Sequence, residues 1–167
     1  TGGKTRSLFY MWLWRFLEKN GYRNIIYVVT VSEPLAIVPE EYYEIMPIYD
    51  LDPSILRNDS YLLKRYVEEL SYNIAEFLKR NHTRHKKIIV YVKPRSTHFY
   101  YIREAVKKLH ENKDIERKIV FAIRDDIFEA LKKKHPKTWM LNWMFYLEDR
   151  LREIIEKSIK KHSQKAF

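Results

Sequence analysis

Three short apolar runs set what this chain can fold into: Ile25 to Val31, Ile88 to Val92 and Ile119 to Ile123. Each is rich in β-branched residues, continuous rather than alternating, and of strand length. Runs of this kind read as strands covered on both faces, as in parallel sheets. Around them lie stretches with helical spacing. Leu8, Trp12 and Phe16, with Leu13 and Leu17, recur every three or four residues from Ser7 to Asn20, and Asn20-Gly21 supplies a left-handed stop. Leu63, Val67, Leu70, Ile74, Phe77 and Leu78 line one face from Tyr61 to Arg80, with Asp59 or Ser60 as cap. A third helix runs from a Thr97 cap to about Glu111, a short one spans Ile127 to Lys134, and a long one runs from Thr138 to Lys161. Helices alternating with apolar strands imply crossovers and a parallel sheet. The expected fold is α/β: a three-layer α/β/α sandwich with a short, mostly parallel sheet of three or four strands. Ile45 to Tyr49 is the fourth-strand candidate, weakened by Pro47. The 167 residues suffice for one domain, 1–167, and the Thr1 start leaves room for a longer parent chain.

Composition narrows the chemistry. There is no cysteine, which removes disulfides, zinc ribbons, iron–sulfur ligation and thiol nucleophiles. Only 3 glycines argue against glycine-rich cofactor loops, so no cofactor is expected. Gly2-Gly3-Lys4-Thr5 lacks the preceding strand and the earlier glycine of a phosphate loop. Lys and Arg number 32 against 22 Asp and Glu, a formal charge of +10 that suggests an anionic partner, nucleic acid first. Lys/Glu enrichment without cysteine resembles the composition of hyperthermophile proteins. No apolar run reaches the ~18 residues that span a bilayer. No membrane contact and a cytoplasmic location are therefore expected.

The residues that could carry function cluster at predicted strand ends, where open α/β sheets place their sites. After the second strand come Lys93, Arg95, Ser96, Thr97 and His98. The two cations, the two hydroxyls and a helix N-terminus are the donors a phosphate needs, and His98 could do acid–base work. After the first strand lie Ser32 and Glu33, placed across from that group, with Glu33 as a second acid–base candidate. Asp125 and Asp126 follow the third strand; either could cap the next helix, and Asp125 could serve as a third titrating group. Lys132, Lys133, Lys134 and Lys137 form the densest basic run and could touch a phosphate backbone. A second basic cluster, Arg80 to Lys87, falls at the opposite end of the strands. His82 and His85 have no acidic or Cys neighbour in sequence, so no metal site is expected. Trp139, Trp143, Tyr146 and Leu147 share a helical face suited to core or to a partner.

Val31-Ser32-Glu33-Pro34-Leu35-Ala36-Ile37-Val38-Pro39-Glu40, followed by Met46-Pro47-Ile48-Tyr49-Asp50, resembles two linked words of an archaeal domain found in archaeosine synthase and tRNA-guanine transglycosylase paralogues. The resemblance spans roughly residues 25 to 125. It implies a uracil-DNA-glycosylase-like fold, an archaeal source and a role in tRNA modification. The family's amidation motif joins a Pro-Cys to a Lys-Pro-Tyr, then a Ser and a His. Lys93-Pro94, Ser96 and His98 echo it in part, but Arg95 stands where Tyr would and the cysteine is missing. The resemblance therefore implies a domain that binds tRNA or docks a tRNA-modifying partner without amidation chemistry of its own. An enzyme acting on a nucleotide or base in the strand-end crevice is one alternative, and a protein-interaction subunit is another.

Overall fold

The structure, a computed structural model, describes residues 8–32, 35–45, 58–134 and 147–163. It is mixed α/β. Among the described residues there are six α-helices and two two-stranded sheets. The chain divides into two compact units, Thr1–Ile74 and Ala75–Phe167.

In the first unit, α1 (Leu8–Lys19) buries Phe9, Leu13, Phe16 and Leu17, one stripe at helical spacing. Its end is a Schellman stop. Gly21 takes φ 68°, the Tyr22 amide donates to the Leu17 carbonyl at 2.8 Å, and the Gly21 amide donates to Glu18 at 3.0 Å. The Ile25 run then departs from the expected buried strand. The Ile25 and Ile26 amides close a turn on the Tyr22 carbonyl, and Ile25 and Tyr27 are exposed. Strand β1 starts only at Val29 (Val29–Ser32) and pairs antiparallel with β2 (Ala36–Pro39), in register Val29↔Pro39 to Ser32↔Ala36. The reason is chain length. A parallel return needs a crossover of about a dozen residues, and residues 33–35 permit only a hairpin. Pro39 ends β2, where its missing donor costs nothing internal to the pair. Ala36 is buried and sits at φ 61°.

The unit boundary falls inside α2 (Ser60–Asn81). Asp59 accepts from the Tyr61 and Leu62 amides at 2.9 and 3.0 Å, as a cap should.

In the second unit, β3 (Ile88–Val90) and β4 (Ile119–Phe121) pair in parallel, Ile88 opposite Ile119. Between them run α3 (Thr97–Lys108) and α4 (Lys113–Lys118). Helix α4 was not expected, although its Asn112 cap, which accepts from the Ile115 amide at 3.2 Å, is an ordinary start signal. Helices α5 (Asp125–Lys134) and α6 (Glu148–Ser163) follow. Ala122, Ile123, Phe128, Leu147 and Ile154 form a core on which Ile89, Tyr91 and Val120 pack. A single sheet of three or four strands is therefore not what the described residues hold; they hold one antiparallel pair and one parallel pair. Of the fourth-strand candidate, Ile45 to Tyr49, Ile45 lies in a turn and residues 46–49 lie outside the described residues.

Candidate functional site

Parallel pairing gives the second unit two distinct sheet edges. At the strand-end edge Lys93, Arg95, Ser96, Thr97 and His98 follow β3 as expected, but Arg95 and Ser96 are engaged. Pro94 is fully buried and Arg95 adopts φ 60°. That turn delivers Ser96, not Thr97, to the N-cap of α3. The Ser96 hydroxyl accepts from the Phe99 amide at 3.2 Å and donates to the Lys93 carbonyl at 2.7 Å. Arg95 reaches across to α5, with its guanidinium 3.7 Å from Asp125 and 3.4 Å from Glu129. Lys93 stands 6.0 Å from the centre of the Phe128 ring, and His98 meets Tyr101 edge to face.

The acids at this edge are numerous. Helix α5 already includes Asp125 and Asp126, and the Phe128 amide closes on the Arg124 carbonyl, so neither aspartate is the cap. Asp126 instead chelates Arg124, at 3.0 and 2.7 Å, and the bound guanidinium holds its carboxyl below the usual range. Tyr91, just past β3, has its phenol pushed up by burial and further by the charge of Glu148. Burial also pushes Glu148 up. Lys93, Arg95 and Arg124 thus share the edge with Asp125, Asp126, Glu129 and Glu148. An incoming anion would compete with carboxylates for Arg95.

The strand-start edge differs. Ile88↔Ile119 pairing sets Lys87 beside Lys118. Lys118 donates to the His82 carbonyl at 3.3 Å and pairs with Asp114 at 2.7 Å, and His82 lies 3.9 Å from the same carboxylate. His85 is pushed down by burial, then by Arg84 and Lys118. Next to this group, a hollow of ≈ 300 Å³ is lined by Lys79, Lys108, Leu109, Glu111, Asn112 and Lys113. Sequence reasoning marked Arg80 to Lys87 but missed Lys108, Lys113 and Arg117, which only the crossover brings round.

The remaining candidates lie on other elements or outside the described residues. Lys132, Lys133 and Lys134 are exposed in the last turn of α5. Ser32 is buried in β1 of the first unit. Glu33, Lys137, Trp139, Trp143 and Tyr146 lie outside the described residues. No group of three or more His, Cys, Asp or Glu that could hold a metal occurs among the described residues. Among them, no helix is long and apolar enough to cross a membrane.

The first unit holds an unexpected polar hollow of ≈ 380 Å³, lined by Trp14, Arg23, Glu40, Glu41, Tyr43 and Glu44. Arg23 pairs with Glu40 at 2.9 Å and stacks over Trp14 at 4.5 Å. Tyr10, Thr30 and Tyr43 join their hydroxyls in a chain at 2.6 and 2.5 Å. Comparison with protein-family models, curated proteins and solved structures finds no match for this chain.

Proposed function

We propose that this chain binds structured RNA, tRNA first, through its second unit, as a domain related to that of archaeosine synthase. On this reading it acts in tRNA modification in an archaeal, heat-adapted cytoplasm, by binding tRNA or docking a modifying partner. It lacks amidation chemistry of its own, and its layering is the α/β/α of uracil-DNA-glycosylase-like domains.

One observation carries the reading: the cationic excess is confined to one unit. Residues 75–167 contain 24 Lys and Arg against 12 Asp and Glu, a net +12, whereas residues 1–74 contain 8 against 10, a net −2. Charge added only for solubility has no reason to segregate. A phosphate backbone gives such segregation a purpose.

The test is binding of unfractionated archaeal tRNA across a salt series. The expected result is micromolar or tighter affinity at about 50 mM salt, with log Kd rising steeply, by about 4 per decade of salt. No binding at low salt would sink the proposal. An enzyme acting on a nucleotide at the strand-end edge is favoured by a separate observation, the partly buried Glu148 beside Tyr91. A pH–rate profile with nucleoside substrates tests it, and a flat profile rejects it.

A further inference from the structure

We infer that the RNA phosphate backbone docks on the strand-start edge of the second unit rather than on the strand-end edge; the inference rests on the RNA-binding reading above. The two edges differ in what surrounds each cation. At the strand ends, Arg95 and Arg124 already face carboxylates, and a polyanion would meet Asp125, Asp126, Glu129 and Glu148 as well. At the strand starts, Arg84, Lys86, Lys108 and Arg117 are exposed and form no ion pair among the described residues. The acids nearby are taken: Asp114 by Lys118 at 2.7 Å and Glu116 by Lys113 at 3.3 Å. Glu111, on the rim of the hollow, remains 3.9 Å from His110.

Connectivity explains why these cations gather. Parallel strands are entered from one side. Arg84 and Lys86 precede Ile88, Arg117 precedes Ile119, and the paired strands stand about 4.8 Å apart. Helix α3 must travel back to that side before β4 can begin, which carries Lys108 there. The hollow gives the surface concavity; of the lysines on its walls, Lys108 forms no ion pair among the described residues, while Lys79 pairs with Glu76 at 2.9 Å and Lys113 with Glu116. An ammonium group on a concave wall, with the Arg84 and Arg117 guanidinium groups before the two strands, suits phosphodiester oxygens, which accept hydrogen bonds from several directions. His85 on the same edge is pushed down first by burial and then by the charges of Arg84 and Lys118, which face it.

The experiment compares variants of the full chain with unfractionated tRNA in a potassium chloride series. Arg84→Ala, Lys86→Ala, Lys108→Ala and Arg117→Ala combined should flatten the salt slope by about 3, at ~0.7–0.9 per phosphate contact. Lys93→Ala with Arg95→Ala should change it by less than about 1. An unchanged slope in the first variant, or a loss confined to the second or to a Lys132/Lys133/Lys134→Ala variant, overturns the location while RNA binding stands. A wild-type chain that ignores tRNA overturns the reading beneath it too. Poly-glutamate that displaces tRNA at matched charge overturns nucleic acid as the occupant. Melting curves check folding; should the four-site variant unfold, Lys86→Ala with Arg117→Ala must still flatten the slope, by about 1.5.

Discussion

Ser96 and Thr97 are adjacent hydroxyls with different duties. Ser96 satisfies the Phe99 amide and ties itself to the Lys93 carbonyl, so it holds both the start of α3 and the left-handed turn at Arg95. Thr97 lies inside the helix. Ser96→Ala should therefore cost about 1 kcal/mol in urea unfolding, while Thr97→Ala should stay within about 0.5 kcal/mol. The reverse order would mean that the cap is misassigned. From sequence the two could not be separated, since both residue types cap helices and the buried Pro94 that fixes the turn decides between them. Arg95 shows the same limit. Its partners Asp125 and Glu129 come from 30 and 34 residues away, and no local spacing announces them.

Elements were legible where local signals are strong. The α1 stripe, the Gly21 stop, a cap at Asp59 or Ser60 and the existence of the two β-branched runs that pair as β3 and β4 can each be read from period and punctuation, although those strands stop at Val90 and Phe121 and are half-buried rather than covered on both faces. Gly21 makes a clean test of the stop. A Cβ there would meet nothing within 4 Å, yet φ is 68°, so only backbone conformation is at stake. Gly21→Ala should destabilise the fold by about 1 kcal/mol, read from the denaturant midpoint. A neutral result would mean that the helix end frays without cost. The first apolar run misled because hydrophobicity was taken as burial. Ile25 is 62 % exposed, and the informative signal was the short gap between Val31 and Ile37, too brief for anything but a hairpin. Helix α4 hid for another reason: at six residues it is shorter than two helical turns and shows no periodicity to read.

At the scale of the whole molecule, charge is the organising quantity. Its total was plain in the sequence, but its partition needed the unit boundary, and the division between sheet edges needed the parallel register. The candidate site was thus half legible: the basic words were visible, while their pairing with acids was not. The partition also has a kinetic side. Within a Debye length, roughly 10 Å at 0.1 M salt, an approaching polyanion senses the field of the basic unit before any close contact forms, and on the RNA-binding reading that field favours the second unit. Salt should then act mainly on encounter. In stopped-flow mixing with tRNA, the association rate should fall by about 10³-fold from about 20 to 200 mM salt and the dissociation rate rise by about ten-fold, which together make up the change in Kd. A change carried by dissociation alone would place the discrimination in close contacts instead. On the RNA-binding reading, a chain charged in this way would meet a polyanion by its basic unit first, and leave the fit to be settled after arrival.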